Sequence, residues 1–168
     1  MSPSSFIPPE TITTLLFLVR EGEVLLARKK RGHGVGKWNG TGGKLEPGET
    51  PEQAAVRECQ EEVGVTPIKL ESRGVLHFTQ EPRIDKYSNL DSHIYVCTEW
   101  QGEPTETEEM QPQWFALDAV PYNDMWRDDA HWLPKVLAGQ SIEGWFHFDG
   151  DYNLQATKVE VHDADNAA

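Results

Sequence analysis

The chain has 168 residues, 38% of them hydrophobic and 26% charged, which is the make-up of a soluble globular protein long enough to bury one core. Its 28 acidic against 15 basic side chains give a formal net charge of −13, and this excludes a protein that grips nucleic acid or an anionic membrane non-specifically through a basic face. If the ligand is itself an anion, something other than the net field must attract it, and metal ions are the obvious candidate.

The first ten residues, MSPSSFIPPE, are rich in Pro and Ser and predict a loose arm; they show no basic stretch followed by an apolar run, so no signal peptide is expected. Residues 11–19 and 23–28 are β-rich runs parted by Arg-Glu-Gly, which predicts a hairpin. Residues 29–49 are too glycine-dense for a regular element. Helix signals then arrive together: Thr50 as N-cap, Pro51 at the first helical position, Gln53 completing a capping box and Gly64 as a C-terminal cap predict a helix over 51–63. Further strands are expected at 70–80, 92–100 and 113–117, and a second helix over 124–137. A closing hairpin is expected to turn at Asp149-Gly150, before an acidic tail at 163–168.

The whole is expected to be one domain over 11–162, of α+β class, with helices covering a strand-rich sheet in an α/β/α sandwich. No stretch approaches the roughly 18 apolar residues of a membrane span. Cys59 and Cys97 are too few for a disulfide framework, so reduced thiols and a cytoplasmic location are expected. A single domain without an evident pairing surface is expected to be a monomer.

Residues 57–64 read RECQEEVG. At about 100° per residue from Arg57, Glu61 falls near 40°, Glu58 near 100° and Glu62 near 140°, while Val56, Ala55, Cys59 and Val63 fill roughly 160° to 260°. One face is apolar and able to pack on a sheet; the other is a carboxylate stripe in which Glu58 and Glu62, at i and i+4, repel. A solvated acidic face is the ordinary explanation of such a run. Against it, no lysine occurs between Thr50 and Val65, and a glycine loop that lets backbone approach a ligand comes just before the helix. Clustered hard oxygens beside such a loop suit magnesium or manganese, which commonly bridge a protein to phosphates.

Gly43, five residues, Glu49, seven residues and then RECQEEVGV match the signature G-x5-E-x7-R-E-U-x-E-E-x-G-U at every fixed position, with Cys59 in an aliphatic slot. The chain therefore resembles the Nudix hydrolases. The resemblance implies the Nudix fold, a mixed β-sheet with this helix and a C-terminal helix packed on it, and a substrate built on a nucleoside diphosphate. It implies metal ions, Mg2+ or Mn2+, held by Glu58, Glu61 and Glu62 with the Gly42 carbonyl. Arg57 and Glu49 would orient the glutamates, and a metal-bound or glutamate-activated water would attack phosphorus.

Three further stretches, GKWNGTGGK, EEMQPQWFALD and MWRDDAHWLP, resemble the MutT-type hydrolases of oxidised purine nucleoside triphosphates, with the register closest to the mammalian member and running from about Thr13 to Phe148. On that resemblance Asn39, Asp128 and Asp129 would hydrogen-bond the purine, Trp126 and Phe78 would enclose its ring, and Lys29 and Thr14 would line the pocket. Thr41, Gly42, Gly43, Lys44 and Arg127 would complete the substrate site, and Glu109 would join the metals. The chemistry is coherent in its own right, since an amide both gives and takes hydrogen bonds and two adjacent aspartates resist simultaneous ionisation. Taken alone, Asp128-Asp129, Lys29 and Glu109 would read as solvated charges. Some of the six tryptophans, Trp114, Trp132 and Trp145 among them, would read as core.

The pattern departs at His33 and Thr41, both of which replace phenylalanine, and Thr41 is expected to open its side of the pocket. The implied reaction is hydrolysis of an oxidised purine triphosphate, such as 8-oxo-dGTP or 2-hydroxy-dATP, to monophosphate and pyrophosphate. The alternatives are a pyrophosphatase for methylated purine or normal triphosphates, and a nucleotide sensor that does not hydrolyse. The partner is a small nucleotide, with no nucleic-acid polymer and no membrane.

Overall fold

The computed structural model describes residues 8–162. Strands β1 (Thr11–Arg20) and β2 (Glu23–Lys29) form the expected hairpin, and β2 also pairs with the two-residue β3 (Trp38–Asn39) and with β6 (Met110–Ala116). On the far side β1 pairs in parallel with β5 (Asn89–Gln101), β5 pairs with β4 (Thr66–Gln80), β4 pairs in parallel with β7 (Ser141–Phe148), and β7 pairs with β8 (Leu154–His162). The sheet is mixed, in the order β3-β2-β1-β5-β4-β7-β8. Helix α1 (Pro51–Val63) covers one face and α2 (Asp129–Leu137) the other, which gives the expected α+β sandwich.

Alternation along β1 builds both cores at once. Phe17 points to the α2 side, among Leu26, Ile94, Trp132, Leu133 and Phe146. Leu16 and Leu18 point to the α1 side, among Ala55, Cys59, Val63, Tyr95 and Cys97. Both cysteines are free and buried beneath α1, and burial pushes the Cys59 thiol up to about 12. Of the three tryptophans expected in the core, Trp132 is fully buried and Trp114 packs partly buried beneath α1 under Arg20. Trp145 instead lies half-buried beside His77, with Lys158 over its ring.

Three local expectations need correction. The second helix begins at Asp129 rather than near residue 124, because a single 3-10 turn at Tyr122–Asp124 ends at Met125. Met125 is extended (φ −121, ψ 175) in order to bury its side chain. The closing hairpin turns through Asp149-Gly150 but not as a two-residue turn: Phe148 pairs with Leu154, leaving a five-residue loop. The glycine-dense loop holds a regular element after all, with Asn39 opposite Ala27 and Trp38 opposite Arg28.

The expected tail and residues 1–7 of the expected arm lie outside the described residues. The end of that arm is tied down, since Glu10 pairs with Arg83 at 2.6 Å and Asn89 Nδ2 donates to the Pro8 carbonyl at 2.9 Å. No helix among the described residues is long and apolar enough to cross a membrane.

Candidate active site

Helix α1 is aimed by its caps. Gln53 N–H donates to the Thr50 hydroxyl at 3.2 Å and Thr50 N–H donates to Gln53 Oε1 at 3.0 Å, which closes the capping box. At the other end Gly64, at φ 74, donates to the Gln60 carbonyl. With the ends set, Ala55, Cys59 and Val63 dock on the sheet, and the charged residues turn toward the strand-linking segment at residues 42–49.

Arg57 is the hub of that charged side. It grips Glu49 with two bonds, Nε to Oε2 at 2.7 Å and Nη2 to Oε1 at 2.9 Å, and reaches Glu58 at 2.8 Å, Glu61 at 3.3 Å and the Lys44 carbonyl at 3.1 Å. The guanidinium, helped by the Glu46 N–H, holds the Glu49 carboxyl down at about 2. Arg57 thus draws Glu49, Glu58 and Glu61 toward itself, and no three ligand side chains close on one point among the described residues.

Glu62 is different from the other three. It is only 2% exposed, whereas the Glu61 side chain is 56% exposed. Its Oε1 accepts from Gly42 N–H at 3.0 Å, and its Oε2 is buried with no hydrogen-bond partner among the described residues. Burial, opposed by that one hydrogen bond and reinforced by the charges of Glu58 and Glu109, pushes its carboxyl up to about 9. An orphaned carboxylate oxygen beside a second carboxylate is the environment a hard cation relieves, so the oxygens of Glu58 and Glu62 fit a divalent ion.

The backbone opposite is shaped to come this close. A Cβ on Gly42 would stand 1.8 Å from the Thr14 carbonyl, and one on Gly43 would stand 2.7 Å from a Glu58 oxygen. The segment that carries Glu109 docks on the end of α1 through the Thr107 hydroxyl, which donates to the Glu62 carbonyl at 2.9 Å. The Glu109 carboxylate itself pairs with Arg31 at 3.4 Å.

Next to this carboxylate cluster lies a cavity of about 310 Å3, lined among others by Thr14, Asn39, Gly42, Gly43, Phe78, Trp126, Asp128 and Asp129. Its size suits one nucleobase with part of its sugar. The break at Met125 places Trp126 on its wall, with His33 stacked at 5.0 Å and Lys37 Nζ 5.2 Å over the ring. Phe78 is backed by Phe146 at 5.6 Å. Asn39 Oδ1 accepts from Gly40 N–H at 2.8 Å, which orients the amide and leaves its NH2 to donate.

At the cavity floor Asp128 and Asp129 are 5% and 2% exposed. Asp128 Oδ2 accepts from Trp132 Nε1 at 2.8 Å, while Asp129 Oδ2 is buried with no hydrogen-bond partner among the described residues. Burial first, and then the adjacent Asp128 charge and hydrogen bond, raise the Asp129 carboxyl well above the usual carboxylate range; burial also raises Asp128. The pair therefore resists simultaneous ionisation more strongly than the free side chains would.

Three of the expected substrate residues lie elsewhere, and a fourth, Lys44, stands beside the cavity. Lys29 packs its side chain against Gly32 at the end of β2. Arg127 is exposed on the side of Asp149. Lys44 stands at the rim, its Nζ 5.6 Å over the Tyr87 ring, and the Tyr87 hydroxyl raises its pKa. Thr41 does not open the cavity: it is buried on the α1 side of β1, with its hydroxyl 3.5 Å from the Leu16 carbonyl. In contrast Tyr87 and Tyr152, which sequence reasoning missed, both line the cavity. The only signal for either was an aromatic ring within a polar loop stretch.

A family model described as NUDIX domain matches residues 9–136. The chain is 45% identical over 153 residues to an oxidized purine nucleoside triphosphate hydrolase of Danio rerio, covering 90% of this chain and 96% of that one. It is 42% identical over 151 residues to the mouse (Mus musculus) protein of the same description, covering 88% and 94%. Among solved structures, a MutT protein from Bacillus halodurans superposes with a TM-score of 0.75 at 28% identity, covering 89% of this chain and 97% of that one.

Proposed function

This chain belongs to the NUDIX family, and from that premise we propose that it hydrolyses purine nucleoside triphosphates, with preference for oxidised purines such as 8-oxo-dGTP and 2-hydroxy-dATP, to the monophosphate and pyrophosphate. The observation that carries the substrate assignment is the buried Asp128–Asp129 pair, its carboxyls raised by burial, lining one cavity together with Asn39. Oxidation of guanine at C8 turns an acceptor nitrogen into an N–H donor beside a new carbonyl. A site that offers a carboxylate, a carboxylic acid and an amide has both donors and acceptors for such edges. Support also comes from the two relatives named for oxidised purine triphosphates, each matched along nearly its whole length.

In this reading Glu58, Glu61 and Glu62, with the Gly42 carbonyl and Glu109, hold magnesium or manganese. The cation's chemistry when bound is to neutralise phosphate charge and to acidify water. Arg57, locked by Glu49, fixes the direction of Glu58 and Glu61. Gly42 and Gly43 let the phosphate chain approach the backbone, and Thr14 and Trp126 hold the sugar and base so that the phosphorus lies beside the carboxylates. A carboxylate of the Glu58–Glu62 pair takes the proton of the attacking water. The new P–O bond forms as the bond to the pyrophosphate oxygen breaks, and the electron pair leaves with pyrophosphate. We read the protein as a cytoplasmic monomer acting on free nucleotides, without a nucleic-acid or membrane partner.

Selectivity tests the assignment. Asn39→Ala and Asp128→Ala are expected to lower the ratio of kcat/KM for 8-oxo-dGTP over dGTP by about tenfold or more while magnesium dependence is retained. The same ratio measured against pH carries a second signature. A carboxyl with a raised pKa keeps its proton at low pH and loses it as pH rises, so discrimination falls toward alkaline pH in the parent and stays flat in Asp129→Asn. An unchanged ratio in the two alanine variants removes these residues from base recognition.

A further inference from the structure

The loop at residues 149–153 is built around one side chain. Asp149 Oδ1 accepts the N–H groups of Asp151 and Asn153, each at 2.9 Å. Its Oδ2 accepts Asn153 Nδ2 at 3.2 Å and Gln155 Nε2 at 3.1 Å. Asp149 also donates its own N–H to the Asn153 carbonyl at 3.0 Å and accepts the Tyr152 N–H on its carbonyl at 3.1 Å. These bonds hold Tyr152 at φ 62, the one left-handed non-glycine residue among those described.

Left-handed backbone favours glycine or asparagine, so a tyrosine there stores strain that a glycine would release. The ring has a place to go. It lines the cavity mouth 5.5 Å from His33 and 6.0 Å from Trp126, and Phe148, just before the loop, lines the same cavity. Three separate segments thus bring a ring to one rim: the β2–β3 loop, the break before α2, and this turn. At 40% exposure Tyr152 keeps a face that none of the described residues covers.

We propose that Tyr152 is a specificity-determining residue of the nucleotide site, forming with His33 and Trp126 one aromatic rim against which a purine base packs. The assignment rests on the reading that this cavity takes a purine. The Asp149 hydrogen-bond cage is its positioning device: it fixes the ring before the nucleotide arrives, so little freedom remains to be lost on binding.

The test is Tyr152→Asn in the full chain, because asparagine accepts the left-handed backbone and lacks the ring. KM for 8-oxo-dGTP should rise about tenfold, within the range that base–aromatic stacking spans. Affinity for 8-oxo-dGMP by calorimetry should fall in parallel, affinity for inorganic pyrophosphate should not, and the Tm should equal or exceed that of the parent. Tyr152→Phe should recover most of the lost affinity. If Tyr152→Asn binds 8-oxo-dGMP as tightly as the parent while Trp126→Ala binds it poorly, the role of Tyr152 is overturned and the purine cavity stands. If Trp126→Ala also binds it normally, the purine assignment of the cavity falls, and this inference with it.

Discussion

Glu58→Gln and Glu62→Gln are each expected to lower kcat by about 10²–10⁴-fold while leaving the protein folded. The amide keeps the volume and one acceptor oxygen, so Gly42 N–H retains its partner in Glu62→Gln. What is lost is the second carboxylate oxygen, which on Glu62 is buried without a hydrogen-bond partner among the described residues. In Glu58→Gln the Arg57 guanidinium still holds Glu49 through two bonds, so the scaffold of the site survives.

Stability provides an internal control with a definite sign. Glu62 has a folded-state carboxyl pushed up to about 9 from an ordinary 4.5. Its contribution is therefore intact below pH 4.5 and is lost progressively as pH rises toward 9. In cation-free protein at pH 8, Glu62→Gln should have a higher Tm than the parent, although its turnover has collapsed. Steady-state kinetics and thermal melts on the same preparations check both halves, and near-normal kcat in either variant contradicts the role of this pair.

Removal of divalent cations with excess EDTA should reduce turnover at least a hundredfold, about what loss of the group that activates the water and neutralises the phosphates costs, and added magnesium should restore it. The reason is electrostatic. The protein carries a net charge of −13, and its glutamate helix lies beside the cavity proposed to take the nucleotide. Two like unit charges 4 Å apart repel by about 1 kcal/mol in water and by about 4 kcal/mol near a protein surface. Several such pairs would arise between the chain's carboxylates and the phosphates. Arg57 cannot offset them alone, because its five N–H donors are already spread over Glu49, Glu58, Glu61 and the Lys44 carbonyl. A rate that survives chelation contradicts this account.

What the sequence made legible was local, or was carried by a strict motif. Thr50, Pro51, Gln53 and Gly64 mark both ends of α1 because caps are made by residues within one turn of the helix end. The seven fixed motif positions then place the carboxylates on that helix. The start of α2 was not legible: the continuous pattern from residue 124 is interrupted because Met125 takes an extended backbone to reach the core, a choice made by distant packing partners. That interruption is what puts Trp126 on the cavity wall, so the missed boundary and the site are one feature.

The turn at residues 149–153 was hidden for a related reason. Asp-Gly is a strong hairpin signal, but here Asp149 spends its carboxylate on groups two, four and six residues ahead, and a wider loop results. Thr41 shows the limit of carrying a position over from relatives. On the strand-like stretch after Asn39 its side chain points to the α1 side of β1, so a change there leaves the cavity wall as it was. Tyr87 and Tyr152 escaped because aromatic rings in polar loops carry no periodicity to read.

The central claim is that one glutamate helix and one proton-sharing aspartate pair together make an oxidised-purine triphosphate diphosphatase. Its most direct measurement is kcat/KM for 8-oxo-dGTP and for dGTP with magnesium, with both products identified by chromatography. The account predicts 8-oxo-dGMP and pyrophosphate as the products and a clear preference for the oxidised nucleotide. Equal kcat/KM for the two substrates, or release of inorganic phosphate in place of pyrophosphate, would contradict it.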